Sequence, residues 1–182
     1  MKTLILIRHA KSSWKNPGLP DRARPLNKRG KRDAPVMGER LAERGLEVDR
    51  VISSPATRAL ATAEAITEEI GHPWDEIIAD ARLYHAAAFD LLEVIQGLDD
   101  HLDCVMCFGH NPGLTDLVNH LSPYYIDNVP TCGVVELRFD VDTWALVGEF
   151  EPIEVDFDYP KKERRLQNAS ERIRGVRRVS VC

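Results

Sequence analysis

A three-layer α/β/α fold around a mainly parallel sheet is predicted by three features of the chain. Apolar strand-like runs alternate with helical patterns from the N-terminus to about residue 121, the order that builds parallel sheets through crossover helices. The first run, Leu4-Ile5-Leu6-Ile7, reads as a buried strand. Two strand-like segments close together near the C-terminal end, 134–139 and 145–150, make one edge antiparallel.

The elements follow in order. Thr3–Ile7 is the first strand, and residues 10–29, rich in Lys, Arg, Pro, Ser and Asn without a period, form a long loop of the kind that often carries function. Gly30–Arg44 has a helical pattern ending at Gly45, with Pro35 in its first turns blurring the start. Val48–Ser53 is the second strand. Ser54-Pro55 reads as an N-cap followed by a first-turn proline, opening an Ala-rich helix to Ile70 that Gly71 closes. Glu76–Ala79 is a short strand, Asp90–Leu98 a helix and Asp103–Phe108 an apolar strand. Asn111-Pro112 repeats the cap-and-proline device before a helix to Leu121. Val134–Phe139 and Ala145–Phe150 are the last two strands, with Asp140–Thr143 as the hairpin turn between them.

Bulk properties narrow the function. The chain has 182 residues, enough for one domain with an ordinary core. No apolar run approaches the roughly 20 residues needed to span a bilayer, and the N-terminal run is too short for a secretion signal, so a soluble cytoplasmic protein is expected, with no membrane partner. Residues 161–182 hold eight cations and two carboxylates, which leaves −11 on the body out of a net −5. An acidic body argues against nucleic acid as the main partner. The tail, taken as an extension over 156–182 of a domain over 1–155, reads first as solvated chain and second as a ligand for an acidic partner. Cys104 and Cys107 match C-x-x-C. On a strand, however, residues three apart point to opposite faces, and no second pair completes a zinc site, so core thiols are favoured over redox or metal chemistry.

The chemistry gathers at strand ends. Arg8-His9 follows the first strand, Ser53-Ser54-Pro55-Ala56-Thr57-Arg58 the second, and Gly109-His110-Asn111-Pro112-Gly113 the strand at 103–108. A parallel sheet brings such ends to one rim, where ligands of open α/β sheets bind. The groups so assembled are two arginines, two histidines and two helix N-termini, a set suited to a phosphoryl dianion. Taken singly each cluster is an ordinary capped turn or surface charge; their shared position carries the inference. There is no Walker A sequence, and no metal or other cofactor is called for.

Leu6-Ile7-Arg8-His9-Ala10-Lys11-Ser12-Ser13-Trp14 resembles the signature of the histidine phosphatase (phosphoglycerate mutase-like) superfamily, with Arg-His-Ala in place of the usual Arg-His-Gly. Together with Arg24-Pro25-Leu26-Asn27-Lys28-Arg29-Gly30, Ser53–Ala59 and Gly109–Leu114 it looks like the SixA-type phosphohistidine phosphatases. The matches cover about residues 3–150. The resemblance implies a phosphoglycerate mutase-like fold, His9 as the phosphate-accepting nucleophile, and Arg8, Arg58 and His110 as holders of the phosphoryl oxygens, with Asn111 at the same site. Many members also carry a carboxylic acid near the site. Here Arg82-Leu83-Tyr84-His85-Ala86 occupies the corresponding place without one. His85 is the candidate substitute, with a plain loop histidine as the other reading, while Asp21 is read as an anchor for Arg24 or another basic group. A missing acid favours a phosphoramidate, phosphohistidine on a protein such as a histidine phosphotransfer protein, over a small phosphate ester. A phosphatase of small esters and a catalytically weak phosphate-dependent binding module are the competing functions.

Overall fold

β1 (Lys2–Arg8) lies inside a six-stranded sheet because both of its faces are apolar: Leu4 and Leu6 enter one core, Ile5 and Ile7 the other, all at most 1% exposed. The computed structural model describes residues 1–162 and 177–178. After β1 come α1 (Lys28–Ala42), β2 (Arg50–Ser53), α2 (Thr57–Ile70), β3 (Ile78–Ala79), α3 (Ala88–Gln96), β4 (Cys104–Gly109), α4 (Gly113–Leu121), β5 (Tyr124–Tyr125), β6 (Val134–Phe139), β7 (Glu154–Asp158) and β8 (Arg177–Arg178). The main sheet has the order β3-β2-β4-β1-β6-β7, and β5 pairs with β8 apart from it. β3, β2, β4 and β1 are mutually parallel, while β6 and β7 add an antiparallel edge.

The two cores define three layers. Met37 and Leu41 of α1 and Ala63 and Ile66 of α2 cover one face with Ile5, Val51, Met106 and Phe108. Leu91 and Ile95 of α3 and Leu117 and Val118 of α4 cover the other with Leu4, Ile52, Val105 and Leu137. Cys104 joins the first core and Cys107 the second, as strand geometry requires, and burial pushes both thiols up to about 12. They are core residues, not a redox pair.

The late strands differ from expectation. Ala145–Phe150 is not a strand, and Asp140–Thr143 is not a hairpin turn. Trp144 is fully buried and its indole donates to the Leu102 carbonyl (2.8 Å), which winds Trp144–Leu146 into a 3-10 turn. The edge strand is β7 instead, where Val155 and Phe157 face the core, Asp156 and Asp158 face Arg40 and Arg44, and Glu154 pairs with Arg138. It runs across the boundary expected at residue 155; most of the basic tail lies outside the described residues. Helix starts differ too. α1 begins at Lys28, capped by Asn27, whose side-chain oxygen accepts from the Gly30 amide (2.9 Å). α2 begins after Ala56 and α4 after Pro112, neither with a side-chain cap. Asn111 is therefore free for other bonds, and Ser54, whose Oγ accepts from the Ala56 amide (3.3 Å), has its remaining capacity to offer.

The rim forms as the topology requires. Arg8 pairs with Gly109, and Ser53 with Phe108, so the ends of β1, β2 and β4 lie level at the centre of the sheet. The loop after His9 is tied to α1: the Lys11 carbonyl accepts from the Asn27 amide (2.9 Å), and a Cβ at Gly30 would lie 2.3 Å from that carbonyl oxygen. Gly30→Ala is expected to destabilise the fold by about 1–3 kcal/mol despite alanine's better helix propensity. Urea unfolding checks this, with Gly18→Ala as a neutral control; a Gly30→Ala protein as stable as wild type would contradict the close docking.

Candidate active site

His9 leaves the end of β1 with its backbone amide bonded to the Gly109 carbonyl (3.1 Å) and its own carbonyl accepting from the Cys132 amide (3.2 Å). Cys132 takes a left-handed φ of 62° to reach it. The ring Nδ1 lies 2.7 Å from the Ala10 carbonyl, an acceptor only, so Nδ1 carries the proton and Nε2 keeps its lone pair. Ala10 is fixed in turn by Thr62, whose hydroxyl accepts from the Ala10 amide (2.9 Å) and donates to the Arg58 carbonyl (2.6 Å).

Arg58, in the first turn of α2 and 4% exposed, faces three partners. Its Nε donates to His9 Nε2 at 3.3 Å. Nη1 donates to the Asp21 backbone carbonyl (2.6 Å) and Nη2 to the Asp21 carboxylate (2.8 Å). Nη2 also lies 3.4 Å from His110 Nδ1. An arginine only donates, so that nitrogen is an acceptor. His110 then gives its Nε2 proton to Ser54 Oγ, 2.7 Å away. The two imidazoles stand 5.0 Å apart between ring centres.

The electrostatics follow from burial beside this cation. His9 is pushed down to about 4, chiefly by burial and further by the charges of Arg58, Arg8 and Arg24, against a raising bond from Ala10. His110 is pushed down to about 3 by burial, His9 and Arg58. Both are neutral at physiological pH. Asp21 behaves oppositely. Desolvation would raise its carboxyl, but bonds from Tyr84, Arg58 and Arg24 hold it well below the usual carboxylate range. It is an ionised anchor, as read from the sequence, for Arg24 and Arg58 together.

The remaining residues divide. Arg8 and Asn111 turn to one side, where both donate to the Asn128 side-chain oxygen and the Val129 carbonyl. Arg8 Nε and Asn111 Oδ1 are buried without a partner there. His85 has a positive φ of 54°, an exposed ring 6.2 Å from that of His110, and Nε2 3.6 Å from the Asp21 carboxylate. It lies in the turn between Ala81–Leu83 and α3, beside the site. Thr131, in the turn before β6, accepts from Arg29 of α1 (3.2 Å). Ser54 and Tyr84 join the site without a sequence motif that singles them out: Ser54 reads as a helix cap, and Tyr84, whose hydroxyl donates to Asp21 (2.9 Å), has only its adjacency to His85 to mark it. Among the described residues no group of three or more His, Cys, Asp or Glu is placed to hold a metal ion.

Comparison with known proteins agrees with this geometry. The family model of the histidine phosphatase superfamily (branch 1) matches residues 4–87. An uncharacterised chloroplastic protein of Arabidopsis thaliana is 30% identical over 151 residues, 79% of this chain and 69% of that protein. The 2,3-bisphosphoglycerate-dependent phosphoglycerate mutase of Brucella ovis is 37% identical over 84 residues, 45% of this chain and 41% of the mutase, so less than half of the mutase is matched. Among solved structures, the SixA protein of Agrobacterium tumefaciens superposes with a TM-score of 0.69 at 26% identity over 85% of this chain and 96% of that one. The protein histidine phosphatase SixA complexed with tungstate has the same fold, with a TM-score of 0.71 at 21% identity over 87% and 97% of the two chains.

The neutral imidazoles make acid stability a test of the site. In the unfolded chain both histidines take up protons near 6.5, whereas in the fold they resist to about 4 and 3. The unfolded state therefore binds more protons between these values, and stability falls as pH drops from about 6.5 toward 4. His9→Gln and His110→Gln should each flatten that limb in urea unfolding measured from pH 8 to 4. An unchanged limb in both would mean that the imidazoles titrate normally.

Proposed function

The chain belongs to the histidine phosphatase superfamily, in its SixA-like branch, and from that premise we propose that it is a metal-independent phosphatase whose nucleophile is His9 and whose substrate is phosphohistidine on a protein. The observation that carries this reading is the His9 ring: Nδ1 is locked onto the Ala10 carbonyl, while the unprotonated Nε2 faces the Arg58 guanidinium at 3.3 Å.

In the first step the Nε2 lone pair forms a bond to phosphorus as the bond from phosphorus to the substrate's imidazole nitrogen breaks, and that nitrogen takes up a proton. In the second, water attacks the phosphohistidine, the bond to Nε2 breaks and inorganic phosphate leaves. Arg58 supplies fixed positive charge where the equatorial oxygens develop theirs, and Arg8 and Asn111 flank them from the other side. His110 is neutral when the pocket is empty. A bound dianion favours proton uptake at its Nδ1, turning that nitrogen from acceptor into donor.

The choice of substrate rests on the acid. Asp21 is held ionised by three donors and has no proton to give near neutrality. His85, beside Asp21 and His110, is the remaining candidate for protonating a leaving group. An imidazole leaving from phosphohistidine needs less help than an alkoxide, so an N-phosphoryl substrate fits the site better than a sugar phosphate. The match to phosphoglycerate mutases keeps small phosphate esters as the second reading.

Phosphate release should be measured with EDTA present from a phosphohistidine-bearing protein, a phosphoserine peptide and a sugar phosphate. Release is expected from the first, abolished in His9→Ala and lowered roughly 10²–10³-fold in Arg58→Ala. His85→Ala is expected to slow residual ester hydrolysis more than phosphohistidine hydrolysis. Preferential release from the esters would move the function to small-molecule hydrolysis, and a loss of activity with EDTA would contradict metal independence.

A further inference from the structure

The segment 11–32, which wraps the mouth of the site, is basic like the tail at 161–182 and opposite in charge to the rest of the chain. It contains Lys11, Lys15, Arg22, Arg24, Lys28, Arg29, Lys31 and Arg32 against Asp21 alone, a formal +7 in a chain whose net charge is −5. Arg24 is accounted for by the site: it is buried, bonded to Asp21, Ser12 and Ser13, and its guanidinium lies on the Trp14 ring. Arg29 and Arg32 share the buried carboxylate of Asp33. The other five, Lys11, Lys15, Arg22, Lys28 and Lys31, are exposed and form no ion pair among the described residues.

These charges sit on a fixed frame. The loop is folded against itself by the Ser12–Leu26 bridge and the bond from the Ser13 amide to the Pro25 carbonyl (2.8 Å). It is tied to α1 through Lys11 and Asn27, and to Arg58 through Asp21. Lys11 is two residues from the nucleophile and Arg22 adjoins the carboxylate that orients Arg58. Lys11 and Arg22 therefore border the catalytic pocket, and Lys15, Lys28 and Lys31 extend the charge along the same loop and the first turn of α1.

Stability does not explain the arrangement. The first turn of α1 contains no acidic residue but has Lys28, Arg29, Lys31 and Arg32 within its first five positions. Cations at the positive end of a helix dipole are unfavourable, as is like-charge crowding at neighbouring positions. A phosphoryl group alone needs few charges, and those inside the pocket already serve it. Charges spaced along the rim suit a large anionic surface that approaches with the phosphoryl group at its centre. A protein substrate fits better than a nucleic acid, because the body around this segment, leaving aside the basic tail at 161–182, is acidic and would repel a long polyanion.

We propose that the exposed cations of residues 11–32 form a docking surface for the substrate protein, and that this protein carries carboxylates around its phosphohistidine. The inference rests on the phosphohistidine reading above and adds to it the character of the partner. The surface acts by steering and orienting, so it sets association and KM and leaves the chemical step alone.

Two synthetic peptides test it, each with one phosphohistidine, one flanked by glutamates and one by lysines, beside free phosphohistidine and a single-stranded oligothymidylate. Binding is read by fluorescence anisotropy on the full chain carrying His9→Ala, and turnover on the wild type. The glutamate peptide is expected to bind at least tenfold tighter than the lysine peptide at low salt, with the gap closing as salt rises and the Debye length shortens. Lys15→Glu with Lys31→Glu should remove that preference and raise KM for the glutamate peptide, with turnover of free phosphohistidine unchanged. Equal binding of the two peptides, a preference that survives the double variant, or tighter binding of the oligothymidylate would each overturn the proposal. Failure of the wild type to hydrolyse any of the phosphohistidine substrates would instead reject the phosphatase reading, while the binding comparison would still decide whether the patch selects acidic chains.

Discussion

The Arg58 guanidinium is a cation buried at the start of α2, among groups that all respond to it. It needs an anion nearby, and Asp21 supplies one by closing on it with both backbone carbonyl and carboxylate. It disfavours protonation of the imidazoles on its other sides, and burial pushes them the same way, so His9 and His110 stay neutral. A buried cation left without its anion would be costly. The loop that brings Asp21 is therefore part of the site's architecture, not an appendage to it. Tyr84, Arg24 and, through Arg24, Ser12 and Trp14 are placed by the same requirement.

The consequence for reactivity is that the proposed nucleophile is held in one tautomer. A free imidazole samples either ring nitrogen, and near neutrality part of its population is protonated. At His9 the Ala10 carbonyl selects the proton's position and burial removes the second proton, leaving Nε2 aimed at the cation that would share the phosphoryl group with it. Ala10 is positioned by Thr62, which also bonds the Arg58 carbonyl, so His9 and Arg58 are referenced to the same turn of helix. Attack then requires little reorganisation.

Much of this was legible in the chain because the signals are local. Strand-like and helical runs alternate clearly enough to give the layers, and a parallel sheet must bring Arg8-His9, Ser53–Arg58 and Gly109–Asn111 to one rim. What escaped notice depends on distant contacts. Ser54 and Asn111 have the composition of helix caps, but tertiary partners claim their side chains: His110 for Ser54, and Asn128 and Val129 for Asn111. Ala145–Phe150 is apolar enough for a strand, yet burial of Trp144 against Leu102 turns it, and the less apolar 154–158 takes the edge because its acids meet Arg40 and Arg44 across the fold. Tyr84 had no pattern to reveal it, since its bond to Asp21 joins residues 63 positions apart.

In the proposed mechanism His9 carries the phosphoryl group between substrate and water. Rapid quenching of the enzyme with a radiolabelled phosphohistidine protein, under alkaline conditions that preserve phosphohistidine, traps that intermediate. One acid-labile, alkali-stable phosphoryl group per chain is expected, mapped by mass spectrometry to His9 and absent from His9→Ala. Hydrolysis that proceeds without a labelled enzyme at any time point, or label on another residue, would contradict it.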